Sequence, residues 1–554
     1  MRIALAQLNY RIGDFDYNLD LIRKNVARAK EGNADVVVFA ELSVCGYPPR
    51  DFLEFDDFIG RCDQSIVEIA RECYGIAAIV GAPSRNPAPK GKPLYNTAYF
   101  LAEGRILGKA HKTLLPNYDV FDEYRYFEPN RLPYSLVEYK GIRFALTICE
   151  DLWYMADDPL YVRNPMEELI RLNPGVVINI AASPFHYDQP VSRKEILTRN
   201  AGTYKLPVFY INHVGGQTEL LFDGGSMVVA PDGTFVDGFP TFKEDFRNYD
   251  LEEVRVRTHP SPDPFPWRGG GKGVGSIQLI HDALVMGIHD YFSKMGFTQA
   301  ILGLSGGIDS AVTLFLATEA LGKENIRAVL LPSRFSSEHS IRDAIELTQN
   351  LGIGHEVISI DEIFRAVEQT MKPHFKDRPP DLTEENIQAR IRAVILMALS
   401  NKFGYILLNT SNKSEAAVGY GTLYGDMCGG LSVLGDVYKT QVYDLAAYIN
   451  REQVIIPVNI ILKPPSAELR PDQKDSDTLP EYDILDKILN GYIEQRKGPD
   501  DLIREGFDEP TVRRVLRLVN TSEYKRHQAP PILRISPKAF GTGRRMPIVA
   551  KYLS

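Results

Sequence analysis

The first 245 residues alternate short apolar runs with stretches of helical spacing. Runs rich in Val, Ile and Ala predict β-strands in RIALAQL, DVVVFAEL, IAAIVGAP, NTAYFLA, RFALTICED, GVVINIAAS, PVFYINHVGG and SMVVAPDG. NLDLIRKNVARAKEG, between the first two runs, has the spacing of a helix. Several runs are nearly all apolar, as is typical of strands covered on both faces. The pattern predicts an α/β domain, and a layered α/β/β/α sandwich satisfies it.

A segment crowded with proline and glycine interrupts this pattern. HPSPDPFPWRGGGKGVGS can continue neither a helix nor a strand, so we place a linker at 246–276, between domains at 1–245 and 277–554. In the second domain, helical stretches such as LIHDALVMGIHDYFSKMG and SAVTLFLATEALG accompany the apolar runs AILGL, IRAVLLP, HEVISI and YILLNT. Strands separated by such helices predict βαβ units in a parallel, doubly wound, Rossmann-like sheet. The Pro-rich segments KPHFKDRPPDLTEEN and KPPSAELRPDQKDSDTLP predict long loops that could order over a ligand.

Composition and charge narrow the partners. A chain of 554 residues with 44% hydrophobic content has room for two or three domains with full-sized cores. Its 63 basic and 72 acidic side chains leave a net charge of -9, which argues against broad contact with nucleic acid or an anionic membrane. We find no apolar run of roughly 18 residues, the length that could span a bilayer. A cytoplasmic protein with small-molecule partners is therefore expected.

The cysteines are few for this length, odd in number and without metal-ligand spacing: Cys45, Cys62, Cys73, Cys149 and Cys428. We therefore expect reduced thiols. A cysteine with a special role should be special for its reactivity.

The clearest single motif is a glycine-rich turn between an apolar strand and a helix, formed by Gly303, Leu304, Ser305, Gly306, Gly307, Ile308, Asp309 and Ser310. Small residues let backbone N–H groups approach an anion, hydroxyls add donors, and the helix N-terminus adds partial positive charge. A phosphate or pyrophosphate is the natural guest, and Asp309 would hold Mg²⁺ on it. The spacing differs from GxxxxGKS/T, which argues against kinase or GTPase chemistry of that type. The alternative is a tight strand-to-helix turn capped by serine and aspartate.

This turn resembles the pyrophosphate loop of the ATP pyrophosphatases, which transfer AMP to a substrate and release pyrophosphate. Within that group, the second domain is similar to the NAD synthetases in six blocks that occur in order: EENIQARIR, NTSNKSE, GYGTLYGDMCGG, GDVYKTQV, KPPSAEL and EYKRHQ. Cys428 and Leu431 depart from the family pattern, in which we expect alanine and an aromatic residue. Both departures look like packing changes.

The resemblance implies roles for single residues of the second domain. Thr410 and Lys439 would contact ATP, and Glu415 would be a second metal ligand beside Asp309. The dinucleotide substrate, deamido-NAD, would be contacted by Asn386, Glu415, Asp426 and Lys525, with Arg392 and Ser466 as weaker candidates. The residue types suit these tasks, since carboxylates hold Mg²⁺ and lysine meets phosphate as a mobile charge. Each lysine or glutamate taken alone is more often a solvated surface charge.

Three polar residues of the first domain stand at strand ends, where α/β scaffolds gather catalytic groups: Glu41, Lys112 and Cys149. In an amide hydrolase, Cys149 would attack the carboxamide carbon and Glu41 would take the thiol proton. Lys112 would stabilise the oxyanion and depress the pKa of the thiol. The alternative for Cys149 alone is a buried, inert thiol.

The motifs FAELSVCGYPP, GKAHKTLLPNYDVFDEYRYF and ICEDLW, in this order and spacing, resemble the nitrilase superfamily over about 240 residues. The resemblance places Glu41, Lys112 and Cys149 at the family's catalytic positions. Its glutaminase branch implies glutamine contacts from Tyr118, Ser183 and Arg193. The turn before the basic residue is longer than usual, so Arg193 and Lys194 both remain candidates. Glu150 would either buttress Lys112 or solvate the strand end.

Together the two resemblances imply one reaction. Glutamine hydrolysis would supply ammonia, and adenylation by ATP would activate the carboxylate of deamido-NAD, giving NAD, AMP, pyrophosphate and glutamate. A homo-oligomer is also expected. One alternative is another adenylating glutamine amidotransferase that acts on a nucleotide or tRNA; another is a sensor of ATP or NAD that has lost catalysis.

Overall fold

The computed structural model describes residues 1–155, 160–257, 274–376, 378–471 and 473–552. The chain forms two compact units, Met1–Gly270 and Gly271–Ser554. Within the described residues, no helix is long and apolar enough to cross a membrane.

The first unit contains fourteen strands among its described residues: β1 (Arg2–Gln7), β2 (Val36–Val38), β3 (Ala77–Arg85), β4 (Leu94–Ala102), β5 (Arg105–His111), β6 (Val137–Tyr139), β7 (Ile142–Ile148), β8 (Val176–Ala181), β9 (Val208–Asn212), β10 (Val214–Gln217), β11 (Leu220–Asp223), β12 (Met227–Val229), β13 (Phe235–Gly238) and β14 (Asp245–Asp250). Its described helices are α1 (Phe15–Glu31), α2 (Asp56–Glu72), α3 (Glu123–Tyr126), α4 (Pro165–Ile170), α5 (Gln189–Tyr204) and α6 (Leu251–Val256). Every apolar run that was predicted as a strand in this region contains at least one strand.

These strands form two sheets with the orders β14-β1-β2-β3-β4-β5 and β13-β12-β9-β8-β7-β6, and β10 and β11 form a separate ribbon. The sheets share one core, in which Leu5 and Val38 of the first sheet belong to the same buried cluster as Phe144 and Ile178 of the second. Apolar residues at both alternating positions of a strand allow this, since each strand is covered on both faces.

Helices cover the outer faces of the two sheets. Ile22 of α1 and Ile66 of α2 pack with Ala4 on the outer face of the first sheet, and α5 packs on β9 and β12 of the second. The layers are therefore α/β/β/α, and the predicted sandwich is confirmed.

The segment expected to be a linker begins with regular structure. Residues 246–250 belong to β14, which pairs antiparallel with β1 along its whole length, and α6 follows directly with Asp250 as its N-cap. Since β14 completes an edge of the first sheet, the first unit extends beyond residue 245. The Pro- and Gly-rich part, at 258–273, lies outside the described residues.

The second unit contains five described strands: β15 (Ala300–Gly303), β16 (Ile326–Leu330), β17 (His355–Val357), β18 (Ile406–Asn409) and β19 (Leu431–Ser432). Its described helices are α7 (Val274–Met295), α8 (Ile308–Leu321), α9 (Glu338–Leu351), α10 (Asp361–Phe375), α11 (Leu382–Phe403), α12 (Lys413–Val418), α13 (Lys439–Ile449), α14 (Val458–Leu462), α15 (Tyr482–Ile493), α16 (Pro499–Arg504), α17 (Glu509–Thr521) and α18 (Glu523–Arg526). The segment KPHFKDRPPDLTEEN, which was expected to be a long loop, is mostly helical. Its first residues end α10 and its last residues begin α11, so only a short connection remains.

The sheet of the second unit is parallel throughout, in the order β17-β16-β15-β18-β19. This is the predicted doubly wound arrangement. The strand order reverses between β15 and β18, and ligands of such sheets bind beyond the carboxyl ends of the strands at that switch point. The glycine-rich turn follows β15 and Thr410 follows β18, so both lie at this place.

Candidate active sites

The three residues expected to cleave an amide lie at strand ends of the first unit and are buried. Glu41 follows β2, Lys112 directly follows β5, and Cys149 directly follows β7. The Nζ atom of Lys112 donates a hydrogen bond to Oε1 of Glu41 at 2.7 Å. The charges of Glu41 and Lys112 both act on the thiol of Cys149. The fold therefore brings together residues that are 71 and 37 positions apart along the chain.

Lys112 has a second carboxylate partner that the sequence did not single out. Its Nζ donates to Oε1 of Glu123 at 2.8 Å, and the hydroxyl of Tyr47 donates to the same oxygen at 2.9 Å. Glu123 begins α3 inside the stretch DVFDEYRYF, where nothing in the pattern separates it from its acidic neighbours. The lysine thus sits between two buried carboxylates, which stabilise its charge.

The carboxylate of Glu41 accepts three hydrogen bonds. Oε1 accepts from Lys112 and from Nδ2 of Asn96 at 2.6 Å, and Oε2 accepts from the backbone N–H of Ala182 at 2.9 Å. Burial is the largest influence and raises the pKa of Glu41 to about 7, although Lys112 and Asn96 act to lower it. A pKa near neutrality suits a general base.

Cys149 occupies a sharp turn at the end of β7. Its φ of +43° lies in the left-handed region, which a residue with a side chain rarely adopts. Burial, reinforced by the charge of Glu41, raises the pKa of the thiol well above its ordinary value, and Lys112 acts only partly against this. Lys112 thus acts in the expected direction and lowers the pKa of the thiol, but burial outweighs it, so the attack of Cys149 needs a base.

Glu150, next to the nucleophile, accepts hydrogen bonds from two tyrosine hydroxyls. Tyr118 donates to its Oε1 at 2.8 Å and Tyr161 donates to the same atom at 3.0 Å. Burial raises the pKa of Glu150 to about 7, and Lys112 opposes the shift by charge. Tyr118 is thus held at the site, and Glu150 serves as its anchor.

The expected glutamine contacts separate into two groups. Ser183 is buried, its N–H donates to Oδ1 of Asn212, and its Oγ accepts from Nε2 of Gln189 at 3.1 Å. The guanidinium of Arg193 instead binds both carboxylate oxygens of Asp223 at 2.9 Å, which commits its planar fork to an internal ion pair.

The alternative basic residue, Lys194, places its ammonium over the ring of Phe235 on β13. The side chain of α5 that contacts Ser183 is Gln189. Gln189 was not among the expected glutamine contacts. The longer turn before Arg193 was the signal that could have directed attention to it.

The glycine-rich turn of the second unit runs from β15 into α8, as predicted. Gly306 has a φ of +78°, and a Cβ there would lie 2.3 Å from the carbonyl oxygen of Ser340, so only glycine fits. The N–H of Gly307 donates to Oγ of Ser305 at 3.1 Å, and Oγ of Ser310 donates to the carbonyl of Gly307 at 2.9 Å. Both serines thus stabilise the turn itself.

Asp309, Glu415 and Lys439 meet beside this turn. Nζ of Lys439 donates to Oδ2 of Asp309 at 2.5 Å and to Oε1 of Glu415 at 3.4 Å, and Nδ2 of Asn412 donates to Oδ1 of Asp309 at 2.8 Å. Burial, reinforced by the charge of Asp309, raises the pKa of Glu415 to about 8. The Lys439 ammonium thus lies between the carboxylates of Asp309 and Glu415, which together can bind a cation.

A cavity of about 900 Å³ opens at the switch point of the sheet. Its walls include the turn except Gly306, together with Thr410, Glu415, Lys439, Asp426, Arg392 and Ser466. Part of the second expected long loop, including Lys463 and Glu468, also lines it. The volume is in the usual range for small-molecule sites.

The remaining expected dinucleotide contacts gather around one turn. Oδ1 of Asn386 accepts from Oγ1 of Thr422, Oδ1 of Asp426 accepts from the N–H of Thr422, and Nζ of Lys525 donates to the carbonyls of Gly419 and Gly421. Among the described residues, Asp426 lines the cavity whereas Asn386 and Lys525 do not. Both side chains instead support the segment that carries Asp426.

Two family models match the chain, one on each unit. The carbon-nitrogen hydrolase model matches residues 2–258, and the NAD synthase model matches residues 280–529. The chain therefore joins a carbon-nitrogen hydrolase unit to an NAD synthase unit.

Full-length relatives define the family more closely. The glutamine-dependent NAD(+) synthetase of Synechocystis sp. is 42% identical over 99% of both chains, and that of Acinetobacter baylyi is 42% identical over 99% of this chain and 98% of its own. The chain belongs to the glutamine-dependent NAD(+) synthetases.

Solved structures agree with this assignment. The glutamine-dependent NAD+ synthetase of Acinetobacter baumannii, solved in complex with ADP, has a TM-score of 0.76 at 39% identity, covering 99% of this chain and 98% of its own. The synthetase of Cytophaga hutchinsonii shares the fold with a TM-score of 0.83 at 22% identity, covering 99% of this chain and 98% of its own.

Proposed function

We propose that this chain converts deamido-NAD to NAD, using ATP and ammonia that its own first unit releases from glutamine. The observation that carries the proposal is the pairing of two sites on one chain: the Glu41–Lys112–Cys149 cluster in the first unit, and the phosphate-binding turn at the switch point of the second. Membership of the glutamine-dependent NAD(+) synthetases supports it.

The hydrogen bonds of Glu41 indicate which of its oxygens receives the proton of Cys149. Each carboxylate oxygen accepts two hydrogen bonds. Both positions on Oε1 are filled by Lys112 and Asn96, whereas Oε2 has one position left beside Ala182. The thiol proton passes to Oε2, and the Cys149 thiolate attacks the carboxamide carbon of glutamine.

Lys112 stabilises the negative oxygen that forms in this attack. Its ammonium has three N–H groups, of which two donate to Glu41 and Glu123, so that one remains for the oxyanion. When the tetrahedral intermediate collapses, the C–N bond breaks and the proton on Glu41 leaves with ammonia. Water then cleaves the Cys149 thioester, giving glutamate and the free thiol.

Glutamine is held by Tyr118 and Ser183 with Gln189 beside them. The hydroxyl of Tyr118 is held by Glu150, and the backbone of Ser183 is held by Asn212, so both residues have a defined position. Gln189 lies within hydrogen-bond distance of Ser183 and offers a neutral amide. The ion pair of Arg193 with Asp223 stabilises the start of α5, from which Gln189 projects.

In the second unit, ATP phosphates bind the N–H groups and hydroxyls of the glycine-rich turn, with Thr410 and Lys439 beside them. Deamido-NAD is contacted by Glu415 and Asp426, with Asn386 and Lys525 around the segment that carries Asp426. Its own carboxylate attacks the α-phosphorus of ATP and displaces pyrophosphate. Ammonia attacks the acyl-adenylate, and AMP leaves as NAD forms. Each step exchanges one bond for another, and ATP supplies the leaving group.

Asp309 and Glu415 are suited to hold Mg²⁺ in this site. The Lys439 ammonium already shows that a positive charge is stable between them. Among the described residues, no group of three His, Cys, Asp or Glu could hold a metal alone, and Mg²⁺ commonly takes one or two carboxylates plus substrate phosphates. When bound, the ion would neutralise charge on the phosphates, and Lys439 would be freed to contact them.

We also propose that the chain works in the cytoplasm as a homo-oligomer. All five cysteines are free thiols, which suits a reducing compartment. Sedimentation of the purified protein would test the oligomeric state.

The test of the proposed function is synthesis of NAD from ATP, Mg²⁺ and deamido-NAD with either glutamine or ammonium. Cys149→Ala should lose glutamine-driven synthesis and keep ammonium-driven synthesis at the wild-type rate. Cys73→Ala, which removes another buried thiol of the first unit, is the matched control and should keep both. Loss of both reactions in Cys149→Ala would make Cys149 structural; retention of both would remove it from the mechanism.

A further inference from the structure

The backbone that carries Glu41 rests against β3 at a single glycine. After β2 the chain turns through Leu42, whose φ of +48° is in the left-handed region. Gly81 of β3 bonds this turn with both of its backbone groups: its N–H donates to Oγ of Ser43 at 3.2 Å, and its carbonyl accepts from the N–H of Val44 at 3.2 Å. The turn is therefore attached directly to the sheet.

Gly81 leaves no room for a side chain. A Cβ at this position would lie 2.3 Å from the backbone nitrogen of Leu42, and 2.8 Å from the carbonyl oxygen of Ala40 and the carbonyl carbon of Glu41. Its φ is outside the left-handed range, so the need for glycine arises from space. The neighbouring atoms belong to the backbone, and they cannot move without moving the chain.

The surroundings would transmit such a movement to the Glu41 side chain. Glu41, Leu42 and Ser43 are all fully buried. The carbonyl of Glu41 lies 2.6 Å from Nε2 of His213, a second attachment of the same turn. The carboxylate is bound separately by donors from three other segments of the chain. A shift of this backbone would therefore move the Glu41 carboxylate away from its three hydrogen-bond donors and change its position relative to Cys149.

We propose that Gly81 is a positioning residue for glutamine hydrolysis. Because it has no side chain, the backbone turn that carries Glu41 can pack directly against β3, and this contact fixes the position of Glu41. The proposal rests on the role of Glu41 as the general base. Gly81 touches neither substrate nor the reacting atoms, and it acts through the backbone of Glu41. A displacement of about 1 Å at a catalytic group can cost about 100-fold in rate.

Gly81→Ala tests this in the full-length chain. We expect kcat for glutamine hydrolysis to fall about 100-fold, with KM for glutamine nearly unchanged, because Tyr118 and Ser183 are held by other segments. Ammonium-driven synthesis should stay at the wild-type rate. Gly60→Ala is the matched control, since Gly60 lies in α2 with open space at its Cβ position and should leave all three measurements unchanged.

A second measurement separates positioning from misfolding. Alkylation of Cys149 by iodoacetamide should be slower in Gly81→Ala, and its pH profile should lose the step near the pKa of Glu41, while the chain stays folded and KM for glutamine stays close to wild type. Wild-type kcat in Gly81→Ala would overturn the proposal. A parallel loss of thermal stability, KM and kcat would also overturn it, because Gly81 would then serve the fold. Absence of glutamine hydrolysis in the wild type would instead reject the proposed function.

Discussion

Glu41 is a buried carboxylate whose ionisation is set by its hydrogen-bond partners. Burial alone would leave it protonated and useless as a base, because a charge costs free energy in an apolar interior. The Lys112 ammonium and the Asn96 amide stabilise its ionised form, and the resulting pKa of about 7 lets it exchange a proton near neutrality. Its proposed role as a base therefore depends on Asn96 as well as on Lys112.

Asn96→Ala removes one of those partners. Because the Asn96 amide stabilises the ionised carboxylate, its loss should raise the pKa of Glu41. A hydrogen bond to a charged group is worth about 1.5–3 kcal/mol, or roughly 1–2 pKa units. The acidic limb of the pH profile of kcat/KM for glutamine hydrolysis should move to higher pH by about that amount. Asn25→Ala, which removes a buried amide of α1, should leave the profile in place; an unmoved limb in Asn96→Ala would contradict the prediction.

The sequence could suggest Glu41, Lys112 and Cys149 because each follows a strand: β2 and β5 of the first sheet and β7 of the second. It could not supply Glu123 or Asn96. Both are common polar residues, and their meaning arises only when β4 and α3 are packed against the site. The ion pair of Arg193 escaped prediction for the same reason, since Asp223 is 30 residues away.

At the scale of elements, the second unit was the more predictable part. Strand, glycine-rich turn and helix follow one another locally, and a parallel sheet with helical crossovers has few possible topologies. The contact of Asn412 with Asp309 could not be predicted, because it joins the cap of α12 to α8 across 103 residues. Local pattern determines the elements, and side-chain packing determines how their ends meet.

Helices α7 and α8 are joined by a histidine that titrates. His281 of α7 binds Asp282 through Nδ1 at 2.9 Å and Glu319 of α8 through Nε2 at 3.0 Å. Burial alone would lower the pKa of His281, but these two carboxylates outweigh it and raise the pKa to about 9. A histidine whose folded pKa is raised stabilises the fold below its unfolded pKa of about 6.5, and this contribution is lost as pH rises through 9.

His281→Gln should therefore lower the free energy of unfolding of the second unit by about 1–2 kcal/mol at pH 6, with allowance for the half-exposed carboxylates. The difference in thermal midpoint between wild type and variant should shrink toward pH 9.5. His374→Gln, which replaces an exposed histidine of α10, is measured alongside as the control variant. A gap that stays constant between pH 6 and pH 9.5 would show that the pairing contributes no charge-dependent stability.

At the scale of the whole molecule, the pattern predicted two α/β units but placed the end of the first one too early. β14 has the sequence DFRNYD, whose single buried residue is Phe246, and such a polar strand gives little periodic signal. It is nevertheless part of the first sheet because β1 needs a partner along its outer edge. An edge strand is specified by backbone pairing, and a hydrophobic pattern detects it poorly.

The two units carry different chemistry, so a substitution at Asp309 should have the reverse effect of Cys149→Ala. It should impair NAD synthesis and spare glutamine hydrolysis. Asp309 binds Lys439 and Asn412, all within the second unit. Asp309→Asn removes the charge that would hold Mg²⁺, so NAD synthesis from glutamine and from ammonium should both fall by about 100-fold or more. Glutamine hydrolysis, measured without ATP or deamido-NAD, should remain near the wild-type rate.

Glu324→Gln removes an exposed carboxylate just beyond α8 and should leave every rate unchanged. Wild-type synthesis from ammonium in Asp309→Asn would take Asp309 out of the ATP site. An equal loss of glutamine hydrolysis would mean that the substitution damages the whole chain. Two separate sites on one chain require the two variants to lose different activities. Ammonium should restore NAD synthesis in Cys149→Ala but not in Asp309→Asn.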